Sequence, residues 1–161
     1  MLIVSDTTPL ISLMKVSRLG LLEALYGEVL IPRAVFRELM TNASFPDEAE
    51  QIKRSSFIKV VDVNNTAVLD IGLGPGETEA ISYAREVQAD YLLMDEAKGR
   101  KVAKSLGLNV TGTIGILLTA FQWRMMTKEE VEASLEKLKE LKIMGKKIVE
   151  YAKSVIETQK S

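Results

Sequence analysis

Apolar positions along this chain change their period several times, and each change marks an element. Residues 2–4 are a short apolar run that stops at Ser5-Asp6-Thr7, the pattern of a buried strand running into a polar turn. From Pro9 to Tyr26 apolar residues recur at helical spacing. Leu10, Ile11, Leu13 and Met14 mark one face and Val16, Leu19, Leu21, Leu22 and Leu25 another, with Gly20 in a break or cap between two helices. Residues 29–31 form a short β-run. Pro32 then suits the first turn of a helix, where its missing N–H costs nothing, and that helix carries Ala34, Val35, Leu39 and Met40 with Glu38 among them.

Residues 46–54 (PDEAEQIKR) predict a short exposed helix, acids first and bases last, as the helix dipole favours. Residues 57–63 alternate as a strand, and residues 64–76 read as a loop crowded with Gly72, Gly74, Pro75 and Gly76. A helix is predicted over 77–88, with Ala80, Ile81, Ala84 and Val87 on one side. Residues 91–94 are a second buried strand, ended by Asp95. A helix over 96–106 is closed by Gly107, residues 108–111 are another strand, and Thr113 starts an apolar helix through Phe121 and Trp123. From Thr127 the texture changes: residues 127–161 hold eight Lys against seven Glu. Thr127 with Glu130 is a capping-box pattern, and two amphipathic helices follow, interrupted at Gly145.

Strands alternating with helices predict an α/β fold with a mostly parallel central sheet flanked by helices, plus C-terminal amphipathic helices. The expected organisation is one domain over residues 1–126 and a helical extension over 127–161 that packs on it or continues it. At 161 residues the chain is long enough for one real core.

Composition narrows the chemistry. Net charge is −1, so nucleic-acid contact requires a local basic patch or metal ions rather than a global field. The chain has no cysteine and no histidine, which excludes disulfides, thiolate sites, Ser-His-Asp triads and His-based acid/base catalysis. A hydrolase built from this sequence must use carboxylates, Lys or Arg, hydroxyls and a hard cation. No run reaches the roughly 18 apolar residues of a membrane span, and the N-terminus lacks a signal-peptide n-region, so a cytoplasmic protein without membrane contact is the expectation.

The acids are therefore the candidates. Asp6 and Asp95 each follow an apolar run directly, and in a parallel sheet both emerge at the same carboxyl edge, where α/β sheets place their sites. An Asp after a strand also serves as the N-cap of the next helix. Both readings stand for either residue alone, but the pair requires two strands to end alike by coincidence. Glu38 borders the apolar face of its helix, with a solvated Glu as the ordinary alternative. Glu77 and Glu79 both lie in a first helical turn. Helical phase puts Glu77 with Ala80, Ile81 and Ala84, toward the sheet, and Glu79 with Ser82, Tyr83 and Glu86, toward water. Carboxylates drawn together repel unless a cation or protons neutralise them, and oxygen-only clusters select hard ions such as Mg²⁺ or Mn²⁺, which activate water against phosphodiesters.

The Gly-rich run before Glu77 lacks the G-K-[ST] ending and the dinucleotide spacing, so it is read as an entry to the helix rather than a phosphate loop. Ser5, Thr7 and Thr8 are either partners of the Asp6 carboxylate or ordinary turn residues. Lys98, Arg100, Lys101 and Lys104 form either a solvated face or a phosphate-contacting stripe. Phe121 and Trp123 are read as core or interface residues.

These stretches carry a resemblance. IVSDTTPLISL, VLIPRAVFREL, LGPGETEAI, LLMDEAKGRKVAKSLGL and VTGTIGILL, in this order and at these separations, resemble a PIN-domain protein of the VapC-like, DUF3368-type branch, over residues 2 to about 121. The resemblance implies a PIN-like three-layer fold with four acids at the sheet's carboxyl edge holding Mg²⁺ or Mn²⁺. It carries that set onto Asp6, Glu38, Glu77 and Asp95, as catalytic and metal-binding residues; many PIN nucleases have Asp where this chain has Glu77, and Glu96 stands at the edge of the site. The implied activity is metal-dependent hydrolysis of single-stranded or structured RNA. The implied setting is the toxin of a type II toxin–antitoxin pair, with an antitoxin protein as partner and a homodimer as the assembly. A different class, a non-catalytic PIN-fold RNA- or protein-binding module, is the alternative; another Mg²⁺-dependent phosphate-processing enzyme is a third reading.

Overall fold

A computed structural model describes residues 1–41, 46–64 and 72–159. Five short strands, β1 (Ile3–Ser5), β2 (Val29–Pro32), β3 (Ile58–Val61), β4 (Tyr91–Leu93) and β5 (Val110–Thr111), form one sheet in the order β3-β2-β1-β4-β5. All four pairings are parallel, with Val4 opposite Leu30 and Leu92, and Leu93 opposite Thr111. The helices are α1 (Thr7–Lys15), α2 (Gly20–Tyr26), α3 (Arg33–Thr41), α4 (Pro46–Arg54), α5 (Pro75–Glu86), α6 (Ala97–Ser105), α7 (Thr113–Gln122), α8 (Lys128–Glu140) and α9 (Lys146–Thr158). This is the expected α/β architecture, a parallel sheet between helical layers.

Alternation along the strands sorts the side chains into two cores. Ile3, Val29, Ile31, Ile58 and Leu93 face one way, into a cluster with α1, α2, α7, α8 and α9. Val4, Leu92 and Met94 face the other way, against Ala80, Ile81 and Ala84 of α5 and Ala103 of α6. Three alanines on that second face let the helices lie close to the sheet. Fully buried side chains such as Ile3, Leu13 and Leu93 each contribute about 1.5–3 kcal/mol relative to exposure. The C-terminal helices belong to the larger core: Val131, Leu135, Leu138, Val149, Ala152 and Ile156 all join it.

Local signals hold well at several boundaries. Helix α4 spans the PDEAEQIKR segment from end to end. Thr127 and Glu130 make both bonds of the capping box that starts α8, and Gly145 stands at the N-cap of α9. One expectation is corrected. Pro32 closes β2 opposite Val61 instead of opening α3, because sheet pairing with β3 extends the strand through it. Of the pair read as core or interface, Phe121 is core, while Trp123 is 58% exposed, which leaves the interface reading for it. The expected loop over 64–76 falls largely on residues 65–71, outside the described residues; α5 begins within its last part, at Pro75. Among the described residues no helix is long and apolar enough to cross a membrane.

The topology fixes where chemistry can sit. Strand β1 is central, with β2 and β3 on one side and β4 and β5 on the other. The chain reverses its direction of sheet growth between β1 and β4, and the crevice beyond the carboxyl ends at such a point is open to a ligand. Asp6 and Asp95 lie just past those two strand ends, and the ladder continues into the site: the Asp6 N–H donates to the Leu93 carbonyl at 2.9 Å.

Candidate active site

Asp6 stands at the N-cap position of α1 with extended backbone, yet its side chain makes no capping hydrogen bond. It is 4% exposed. Burial pushes its carboxyl up from 3.8 to about 7; the Thr7 amide works against the shift, and the carboxylates of Glu77, Glu38 and Asp95 add to it. The helix-cap alternative therefore fails for this residue, and the three other candidate acids are the charges that bear on it.

Glu38 is not a solvated side chain. The Thr7 hydroxyl donates to its Oε2 at 2.6 Å and the Gly76 N–H to its Oε1 at 3.1 Å. This ties α3 to the first turns of α1 and α5. A Cβ on residue 76 would lie 2.6 Å from Oε1, so only glycine allows this approach. Ser5, by contrast, bonds only the Asp6 carbonyl, as an ordinary turn residue does.

Glu77 lies in the first turn of α5, half-buried. Burial raises its pKa, Glu96 and Glu38 raise it further, and Lys98 lowers it. Glu79 is corrected from the expectation of a solvent-facing acid. Its Oε1 accepts the Ala34 N–H at 3.1 Å, so it satisfies a free donor in the first turn of α3 from a neighbouring helix. Helical phase separated Glu77 from Glu79 but was silent on α3, which covers that side.

Asp95 is gripped at both oxygens. The Thr113 N–H donates to Oδ1 and the Thr113 hydroxyl to Oδ2, each at 2.7 Å. Burial raises the Asp95 pKa, while the Thr113 bonds and the Arg100 guanidinium lower it. The cap role at α6 falls to the next residue: Glu96 accepts from the Lys98 and Gly99 N–H groups, and its charge also bears on Glu77. Thr113 is fully buried and was seen in the sequence only as a helix start. The available signal was its position, a hydroxyl two residues past a strand end, as Thr7 is past β1. Gly112 was likewise missed: a Cβ there would meet Asp95 Oδ1 at 2.6 Å and Arg100 Nη1 at 2.9 Å.

The basic stripe on α6 divides. Arg100 Nη1 donates to the Met94 carbonyl at 3.0 Å, and Lys98 Nζ reaches the Gly72 carbonyl at 3.5 Å, both beside the acids. Lys101 and Lys104 are exposed.

Residues 2–154 match a family model described as DUF3368, PIN domain. The chain belongs to this PIN-domain family. No match was found among curated proteins or among solved structures. PIN domains are generally nuclease-like, generally use divalent metals, and point to nucleic acid as the ligand class. The match runs into α9, so the C-terminal helices are family sequence through most of their length.

The chemistry of the four candidate acids suits a hard divalent cation. They are oxygen-only, three of the four have raised pKa values, and among the described residues none of the four forms an ion pair. Among the described residues, no three acids stand in an arrangement that would itself cage an ion. Mg²⁺ needs no such cage, since one or two carboxylates with several waters and substrate phosphates usually hold it.

Proposed function

We propose that this PIN domain is a metal-dependent endoribonuclease that hydrolyses RNA phosphodiester bonds with Mg²⁺ or Mn²⁺. The observation that carries this reading is Asp6: a buried carboxyl raised to about 7 by burial and by three further carboxylates, beside the ends of two adjacent parallel strands. In this reading Asp6 and Asp95 hold the cation, and Glu38 and Glu77 orient water around it. Once bound, the cation supplies charge stabilisation at the attacked phosphodiester and lowers the pKa of water. With its carboxyl raised to about 7, Asp6 would give up its proton on holding the cation. Thr113 holds Asp95 in one rotamer through two bonds, and Thr7 with the Gly76 amide does the same for Glu38. Such positioning of ligands is what keeps a carboxylate set catalytically competent.

The biological setting that accompanies this reading is the toxin of a type II toxin–antitoxin pair, a cytoplasmic homodimer restrained by an antitoxin protein. Its support is the VapC-like order of motifs. Co-expression with the product of an adjacent small reading frame should relieve growth arrest if the setting is right.

The test of the activity is direct. The purified chain should cut single-stranded RNA when Mn²⁺ or Mg²⁺ is added and stop when chelator is added. Cleavage that persists in chelator would overturn the proposed mechanism. One observation favours the second reading, a non-catalytic binding module: Glu38 and Asp95 already spend oxygens on Thr7, Gly76 and Thr113. That reading predicts RNA or protein binding that ignores chelator, with no cleavage at any metal concentration.

A further inference from the structure

Asp95 and Arg100 also form one end of a cavity of about 370 Å³ that runs away from the acids, over β5 and α7, to α9. Much of its lining is apolar, with Leu118, Met144, Ile148 and Tyr151. Tyr151 is 64% exposed and Ile148 45%, so an aromatic ring and an aliphatic chain stand unburied at its mouth. Arg100 spends one guanidinium nitrogen on the Met94 carbonyl, and a guanidinium carries five N–H donors in all. In the sequence leading into α9 and in its first turn, Lys142, Lys146 and Lys147 are exposed and form no ion pair among the described residues. Lys147 stands four residues before Tyr151 on α9, which makes them neighbours on the helix surface.

We propose that this cavity is the subsite for one nucleotide of a single-stranded RNA next to the bond that is cut, with its base stacked on Tyr151 and its phosphate directed to Arg100. The inference rests on the ribonuclease reading above and adds the path the strand takes from it. Two features choose RNA over a protein segment or a second copy of the chain. The cavity shares Asp95 with the acid site, and Arg100 in its lining and Lys147 one turn from Tyr151 are cations that suit phosphates. A stacking face beside a basic track is the general solution for single strands, and one stacked base contributes enough to be felt in affinity. The volume falls in the range of small-ligand pockets, so it receives one nucleotide and leaves the rest of the strand on the surface.

The experiment uses the full chain in chelator, with a short fluorescein-labelled single-stranded RNA of mixed sequence and fluorescence anisotropy as the readout. Tyr151→Ala should weaken binding about ten-fold, and Tyr151→Phe should keep it. Lys147→Gln should lower the slope of log affinity against log salt by about 0.7, the share of one phosphate on a single strand. With Mn²⁺ present, Tyr151→Ala should raise KM and leave kcat nearly unchanged. Equal loss in Tyr151→Ala and Tyr151→Phe would remove stacking and overturn the proposal. So would wild-type affinity in Tyr151→Ala, including the case where that variant only dissociates a dimer seen by sedimentation. A wild-type chain that binds and cuts no RNA overturns the ribonuclease reading together with this one.

Discussion

The same kind of side chain behaves in opposite ways in two regions of this molecule. At the carboxyl edge of the sheet, Asp6, Glu77 and Asp95 all have raised pKa values, with burial as the first cause. In the C-terminal helices Glu130 and Glu136 have lowered ones. For Glu130 the Thr127 amide leads, followed by Arg18; for Glu136 the cause is Lys153 and then Lys139. The helical pair spends its acids on caps and ion pairs in water. The sheet edge gathers acids with no ion pair among the described residues and packs glycines against two of them. A fold that wanted only stability would not build the second arrangement, since burying like charges opposes folding. The difference marks the sheet edge as the place where stability has been given up for a site.

Substitutions can break this contrast, and the largest effect belongs to Asp6→Asn. It should reduce RNA cleavage by a hundred-fold or more, about the scale of losing a group that stabilises the transition state. In chelator, at neutral pH, it should also raise the melting temperature, because it removes a buried group that resists ionisation. A variant that is inactive and less stable would show instead that Asp6 is structural. Next is Gly112→Ala, whose Cβ must displace Asp95 or Arg100. Activity should fall about ten- to a hundred-fold, with a stability cost of about 1–3 kcal/mol from overpacking, as read by steady-state kinetics and urea unfolding.

Thr113→Val keeps the shape but removes the hydroxyl that donates to Asp95. It should cost about 1–2 kcal/mol and weaken the Mn²⁺ dependence of cleavage, seen as a higher metal concentration for half activity.

The pH dependence of the metal-free protein sharpens the same contrast. The folded Asp6 keeps its proton up to about 7, whereas the unfolded chain releases it near 3.8. Folding therefore takes up a proton between these values, and the contribution of this group to stability falls as pH rises from about 4 to about 7. The full penalty is present above that window and has an upper bound of about 4 kcal/mol, at about 1.4 kcal/mol per pKa unit. Denaturant titrations in chelator should show this slope in the wild type and a flatter one in Asp6→Asn. The smallest effect is expected in the C-terminal helices: Glu136→Gln should leave cleavage and melting temperature within experimental error, as exposed ion pairs contribute little.

Much of the fold was readable because it is local. The period changes placed all five strands, α4 was legible from its charge order alone, and Thr127-Glu130 announced α8 by its own bonding pattern. Pro32 misled because a strand pairing partner, β3, outweighed its preference for a helix start. Asp6 and Asp95 were legible because a parallel sheet puts every strand end on one edge. Glu79 was not, because its partner Ala34 is 45 residues away.

Local sequence narrows the candidate chemistry to carboxylates and marks the strand ends that carry two of them: no His, no Cys, and two aspartates after strands. The packing of distant segments settles the surroundings of each acid. It bound Glu38 to Thr7 and Gly76, turned Glu79 into a cap for α3, gave Asp95 to Thr113 and left Asp6 without a cap bond. The reason is physical. Strand ends and helix phase follow from neighbouring residues, but burial and charge coupling depend on groups brought together from segments far apart in the chain, and these set the ionisation of a carboxylate.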